Sequence, residues 1–428
     1  MRIAVLGAGV VGVTAAWYLA LDGHEVTVID RQPGPARETS FANGGQVSVS
    51  HAEPWANPGA PRQILKWLGR EDAPLLFRPR ADWRQWRWAL AFLLECLPMR
   101  SRRNTLACFA LARYSHECLK SLRAATGIAY DGLQRGILQF CTDPREFERE
   151  ARAAEFMRGY GCERLVKTAD ECVEIEPALA ACRERLAGGV FNPTDESGDA
   201  RRFTEELARL ATSRGVRFRW NIDVLSLVVE GDTVRRLRCA HRSPRRGGRS
   251  RRGSITADAY VVACGSYSPR LLAPIGVPCL VYPAKGYSAT IEIGDHRGAP
   301  TVSLTDVERK LVISRLGNRL RIAGTAELAG YDTEINRARC EAIVARTFEL
   351  FPDAGERGGA EMWAGLRPAT PSNVPLVGAT RYRNLYLDTG HGTLGWTMSC
   401  GSGRVLADIV AGRKPAVELP RSAAAVSR

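Results

Sequence analysis

The chain lacks the marks of several protein classes, and each absence narrows what it can be. MRIAVLGAGVVG runs directly into a strand-like apolar stretch, without the charged leader, long apolar segment or small-residue cleavage site of a secretory signal. The expected compartment is the cytoplasm. Twelve cysteines are scattered with neither a CxxC pair nor a Cys/His cluster at zinc spacing, so reduced, buried thiols are expected and no metal. No internal repeat is present, and histidine occurs only six times.

The basic excess is also less general than its total suggests. The formal net charge is +14, but RSPRRGGRSRRGS, residues 242 to 254, holds six arginines and no acid, and without them +8 remains. No aromatic residue interleaves with these arginines to stack bases, which argues against nucleic acid as a partner. Serine, glycine and proline between the strand-like runs TVRRLRCAH and SITADAYVV predict a solvated hairpin loop.

What is there is ordinary in bulk and specific in order. A hydrophobic fraction of 45% over 428 residues suits a core spread over two or three folding units. The opening alternates a strand (IAVLGAG), a helix (VVGVTAAWYLALDG) and a strand (HEVTVID), a βαβ unit. GAGVVG sets Gly7, Gly9 and Gly12 at GxGxxG spacing between strand and helix. There the three glycines permit a tight turn, a close backbone approach to a pyrophosphate, and close helix packing. Unpaired amides at the helix start favour an anion. Asp30, ending the second strand, stands where an acid accepts hydrogen bonds from a ribose.

After Asp30 the alternation stops. Residues 54 to 187 are mostly helical in pattern, with WRQWRWALAFLLECL and TLACFALARYSHECLKSLRAATG as amphipathic candidates, and residues 282 to 329 alternate like an antiparallel sheet. Three further segments need one explanation: the loop ETSFANGGQVS, the strand and small-residue turn ADAYVVACGSYS, and the glycine-rich DTGHGTLGWTMSCGSG before a last helix. Together they predict a long ligand crossing the molecule. A flavin dinucleotide is the natural candidate, because its isoalloxazine reaches well beyond the nucleotide half.

With these blocks in order, and with PWANPG, DESGDARRF, YPAKGYS and WAGLRPATPSNVPLVG, the chain resembles the small-subunit-type D-amino acid dehydrogenases of the D-amino acid oxidase, glycine oxidase and sarcosine oxidase superfamily. The resemblance runs from Met1 to about Pro415. It implies an α/β protein, α+β overall. A Rossmann-like FAD-binding domain would be built discontinuously from residues 1–53, 188–275 and 361–428. A substrate, or cap, domain with an antiparallel sheet and helices would come from 54–187 and 276–360. On this resemblance Leu6, Gly7, Ala8, Gly9, Val10, Val11 and Gly12 would hold the FAD pyrophosphate, and Asp30 with Arg31 the adenosine ribose. Thr39, Ser40, Ala42, Asn43, Gly44, Gly45 and Gln46 would line the ribityl chain and flavin, and Val224 would meet the adenine through its backbone. Ala263 and Gly265 would close the turn under the pyrophosphate. Gly390, His391, Gly392, Thr393, Leu394, Gly395, Trp396 and Thr397 would follow the isoalloxazine edge, where negative charge develops on reduction.

For chemistry the expected residue is Arg367 in AGLRPATP, whose planar guanidinium suits bidentate capture of an α-carboxylate. The related oxidases add a tyrosine hydroxyl from the strand that reads KLVISRL here, which has none; Tyr287 and Tyr331 are the candidate substitutes. His391 is a candidate base, although its glycine neighbours favour a packing or hydrogen-bonding role. Once a substrate is aligned, hydride transfer to the flavin needs neither a nucleophile nor a metal.

The expected activity is oxidative deamination of D-amino acids, with D-alanine and other small ones foremost, electrons leaving to a quinone-type acceptor. The alternatives are an oxygen-using amine oxidase of glycine or sarcosine type, a D-proline or D-hydroxyproline dehydrogenase, and a non-catalytic flavin-binding electron-transfer subunit. A partner subunit or a homo-oligomer stays open. WRQWRWALAFLLECLPMRSRR, residues 83 to 103, has tryptophans, a short apolar core and flanking arginines. It is too short to span a bilayer, and either lies peripherally on the inner face of the cytoplasmic membrane or packs as an ordinary helix.

Overall fold

Five residues, RIAVL, are buried from Ile3 onward, as a parallel strand covered on both faces must be. The computed structural model describes residues 1–67, 69–71, 73–242 and 251–420. In it the strand Arg2–Leu6 lies between Glu25–Ile29 and Ala259–Val262, parallel to both. The sheet extends to Arg217–Arg219 on one side, and to Leu385–Thr389 and the antiparallel edge strand Leu376–Ala379 on the other, six strands in all. The helix Val10–Leu21 is apolar nearly all round and is covered accordingly. Its Trp17, Tyr18 and Leu19 share a core with Leu119, Phe203, Leu207 and Leu406 from three other helices.

A second, mixed sheet of nine strands contains the expected antiparallel run, Tyr282–Glu292, Leu311–Leu316 and Arg319–Leu328. Two of its strands come from segments that the expected boundaries give to the first unit. Gly188–Asn192 pairs with Ile137–Cys141, and Glu361–Ala369 pairs with Tyr282–Glu292 along its full length. Backbone pairing places both in the larger sheet, and Glu361–Ala369, at one end of it, carries Arg367. Residues 54–187 are largely helical, with Trp83–Glu95 and a 29-residue helix Pro98–Thr126, but contribute the short strands Leu75–Phe77, Ile137–Cys141 and Leu165–Lys167.

The arginine-rich stretch expected as a hairpin loop falls largely on 243–250, outside the described residues; its flanks Thr233–His241 and Arg251–Ile255 pair antiparallel. All twelve cysteines are free thiols, and among the described residues no group of ligands could hold a metal ion. No described helix is long and apolar enough to cross a membrane.

Candidate active site

At the carboxyl ends of the parallel strands the chain leaves a cleft of about 450 Å³. This is where open α/β sheets take their ligands. The turn from Leu6 to Val10 forms its first wall. The ideal Cβ of an alanine at Gly12 would lie 2.0 Å from the Gly7 carbonyl oxygen, so helix and loop touch there as the sequence spacing requires. Asp30 Oδ2 accepts from the Ala8 amide at 2.6 Å and Oδ1 from Gln32 at 2.8 Å. An ionised carboxylate has about four lone-pair sites, so both oxygens keep capacity toward the cleft. Burial raises the Asp30 carboxyl. Arg31 pairs with Glu38 and lies 3.8 Å over the Tyr267 ring.

The second wall is the loop after Asp30. Ser40 Oγ accepts from the Val10 amide at 3.1 Å and Thr39 Oγ1 donates to the Leu366 carbonyl at 2.7 Å. Farther on the loop is pinned by buried Asp195, which accepts from Ser48, Val49 and Ser50. At the far rim the ladder between Ile222–Glu230 and Thr233–His241 slips by a residue between Val224 and Ser226, leaving Leu225 unpaired beside the cleft.

Of the residues expected at a cofactor, Leu6 to Val11, Asp30, Arg31, Thr39, Ser40, Ala42, Asn43, Gly44, Val224, Ala263, Gly265, Gly390 to Thr393, Gly395 and Trp396 all line this cleft. Gly12, Gly45, Gln46, Leu394 and Thr397 do not, for reasons of local geometry. Gly12 lies behind the loop, and Gly45 packs on Ser314 and Leu316. Gln46 points into the large sheet, donating to Ser303 and Thr305. Leu394 and Thr397 sit about a third of a turn off the helix face that presents Gly395 and Trp396. Thr397 accepts instead from the Ser48 amide, and Leu394 packs into a separate core.

Arg367 lines the cleft and faces no acid among the described residues. Burial alone pulls its guanidinium down to about 10. Nη1 donates to the Thr325 carbonyl at 2.6 Å, and Thr325 holds φ at +55°, a costly value for a β-branched residue. Beneath the guanidinium lies Gly286, where a Cβ would come within 2.2 Å of Arg367 Cζ. The candidate tyrosines are engaged elsewhere. Tyr287 touches the cleft, but its hydroxyl donates to Glu327 at 2.5 Å; Tyr331 lies outside the lining and donates to the Ser266 carbonyl at 2.9 Å. His391 is buried, with Nε2 3.0 Å from Ser402 Oγ, and His51 is exposed beside Glu53.

Sequence reasoning missed Asp388, Cys264, Tyr267, Gly286 and Trp363, all in the lining. Asp388 is fully buried, with His391 Nε2 3.4 Å from Oδ1 and neither oxygen in a well-formed hydrogen bond, and Trp396 Nε1 is without an acceptor. A ligand bearing both donors and acceptors is what such a wall lacks. Backbone amides at a helix start, an acid at the second strand's end, and orphaned polar atoms at the far end together fit a flavin dinucleotide along the cleft's length.

The family model described as FAD dependent oxidoreductase matches residues 2–409. A D-amino acid dehydrogenase of Dechloromonas aromatica is 57% identical over 420 residues, 98% of this chain and 99% of that protein. One of Paramagnetospirillum magneticum is 55% identical over 98% of this chain and 97% of its own length. Among solved structures, glycine oxidase from Bacillus cereus superposes with a TM-score of 0.73 at 23% identity, covering 99% of each chain. L-proline dehydrogenase from P. horikoshii gives 0.73 at 19%, covering 97% and 95%; at such identities the likeness concerns the fold. The chain therefore belongs to the DAO family of FAD-dependent oxidoreductases.

Proposed function

We propose that the protein oxidatively deaminates D-amino acids, small ones foremost, to 2-oxo acids and ammonium, and hands the electrons to a quinone-type acceptor. The observation that carries this reading is Arg367, a cation set in the cofactor cleft without an acid to neutralise it. An anionic ligand relieves that imbalance, and a planar guanidinium held by one nitrogen keeps others free for a carboxylate. The names of the close relatives supply the substrate class.

Bound FAD supplies the two-electron oxidant. The chain's own residues do the placing. Arg367 anchors the carboxylate, the Thr325 carbonyl fixes the guanidinium's plane, and Gly286 leaves it room. With carboxylate and cofactor both fixed, the hand of the α-carbon decides whether its hydrogen faces the oxidant. Loss of that hydride, and of a proton from nitrogen, leaves an imino acid that water hydrolyses outside any need for a protein nucleophile. The test is anaerobic mixing of the yellow protein with D- and L-amino acids. Bleaching by D-alanine is expected; bleaching by L-isomers alone, or by none, overturns the reading, and peroxide formed in air without an added acceptor overturns the quinone part.

Gly286→Ala tests the seating of Arg367 apart from its charge. The added methyl collides with the guanidinium, so the D-alanine concentration for half-reduction is expected to rise at least tenfold while flavin content stays unchanged. Unchanged titration would show that Arg367 does not act from this position.

The helix Trp83–Glu95 buries Gln85, Trp88 and Phe92 and exposes the rest of its apolar side. Leu90 is 63% exposed, Trp83 63%, and Met99 just beyond 87%. With exposed Leu93, Leu94 and Leu97 and the arginines 84, 87, 100, 102 and 103 around them, this surface suits an anionic bilayer face. Leu90→Glu with Leu93→Glu is expected to cut partition onto phosphatidylglycerol vesicles more than tenfold in a flotation assay, and equal partition would remove the membrane reading.

A further inference from the structure

Arg367 and Trp363 stand on one face of the strand Glu361–Ala369 with Gly365 between them, because strand residues two apart share a face. Across the ladder Arg367 is opposite Ala284, Gly365 opposite Gly286, and Trp363 opposite Ser288. The two large side chains lean into the glycine row from its opposite ends. A Cβ on Gly286 would run into the Arg367 guanidinium, and one on Gly365 into the outer ring of the Trp363 indole. Paired Cα atoms in an antiparallel ladder are about 4.5–5.5 Å apart, so the indole is the side wall beside whatever the guanidinium holds.

The rest of the lining around this row is nearly bare of side chains. Gly286 and Gly365 form the floor, and Ala323 and Gly44 continue it. Tyr287, one position beyond Gly286, turns its side chain to the opposite face, where its hydroxyl meets Glu327. Trp363 therefore sets the free width of the floor. Its indole is also held: Phe41, from the loop after Asp30, stacks on it with ring centres 6.2 Å apart and planes 30° apart. Arg201 Cζ in turn lies 4.3 Å from the Phe41 ring centre.

We propose that Trp363 sets the size limit of the substrate side chain and so selects D-amino acids with small side chains. This role presupposes the oxidation of D-amino acids proposed above, and it names the residue that meets the α-substituent. With the carboxylate on Arg367, three groups remain on the α-carbon. The hydrogen has to face the oxidant. The amine needs hydrogen-bond partners, and the outer ring of an indole carries no polar atom. The side chain is left for the apolar wall, and one much longer than a methyl group has to displace a ring that Phe41 backs. An apolar pocket discriminates by roughly 10–200-fold for one methylene.

The test is anaerobic titration of the holoprotein with D-alanine and with D-leucine, reading the concentration of each that half-reduces the flavin. In Trp363→Ala the D-leucine concentration is expected to fall and the D-alanine concentration to rise, so that their ratio drops by about tenfold or more. Trp363→Phe keeps a ring against Phe41 but reaches less far over Gly365. Its ratio should lie between those of wild type and Trp363→Ala, and it decides by the same measure if Trp363→Ala does not retain FAD. A purely structural role would raise both concentrations together. A ratio within about twofold of wild type in the folded variants overturns the proposal, and so does D-leucine reduction no better than in wild type. Wild-type protein that no D-amino acid bleaches would refute the deamination itself, whereas bleaching by D-alanine with an unmoved ratio refutes the role of Trp363 alone.

Discussion

Arg367→Ala is expected to leave a yellow protein that D-alanine barely bleaches. The guanidinium contacts no acid, so its removal strands no partner charge, and its one internal hydrogen bond is to the Thr325 carbonyl. Folding and flavin content should therefore survive. What is lost is the counter-charge for the substrate carboxylate in a desolvated wall, worth about 2–5 kcal/mol, or roughly thirtyfold to several thousandfold in the concentration for half-reduction. Arg367→Lys should recover only part of this, since an ammonium keeps the charge and loses the planar fork. Half-reduction at wild-type concentrations in the alanine variant would remove Arg367 from the substrate site.

Gly12→Ala should have the second large effect, on the cofactor and on the fold together. The new methyl meets the Gly7 carbonyl oxygen at 2.0 Å and its carbon at 3.0 Å, both backbone atoms that cannot swing aside. Gly7 itself sits at φ +105° with Ala263 close behind it, so the loop has nowhere to retreat. The helix Val10–Leu21 must lift from the strand, opening a packed core and spoiling the amides that face the dinucleotide. A loss of about 3 kcal/mol is expected, the upper end for overpacking. Flavin absorbance per protein and the thermal midpoint of the apoprotein check this; stoichiometric FAD with an unchanged midpoint would contradict it.

The parts of this molecule that were legible in the sequence are those where the backbone itself forms the wall of the cleft. GAGVVG, ETSFANGG and GHGTLGW announce themselves because close approach and tight turning restrict the residue types allowed, whatever lies opposite. Side chains whose meaning depends on register were not legible. Gly286 matters because it pairs with Gly365 while Ala284 pairs with Arg367, and nothing local to PAKGYS reveals that. Asp388 stood inside a motif already singled out, but its burial in the cleft wall beside His391 becomes visible only in three dimensions. The same limit explains Gln46 and Thr397: their neighbours line the cleft, and strand alternation or helical turn sent those two side chains to the other side. The tyrosines were not legible for a third reason, that a phenol's hydroxyl goes to whichever acceptor reaches it, here Glu327 for Tyr287 and the Ser266 carbonyl for Tyr331.

The smaller sheet has a consequence for how the chain is made. Its first strand pairs Ile3 with Ala259, and Tyr260 in turn pairs with Leu385, so the sheet closes only after nearly the whole chain has been synthesised. Until then the N-terminal βαβ unit waits with apolar faces open on the ribosome, in the condition that invites chaperones or aggregation. A nascent chain stalled before residue 385 lacks the cleft wall that runs from Asp388 to Trp396. Flavin added during translation should accordingly protect the protein late and all at once, so that limiting the cofactor in the cell is expected to lower the amount of protein recovered as well as its colour.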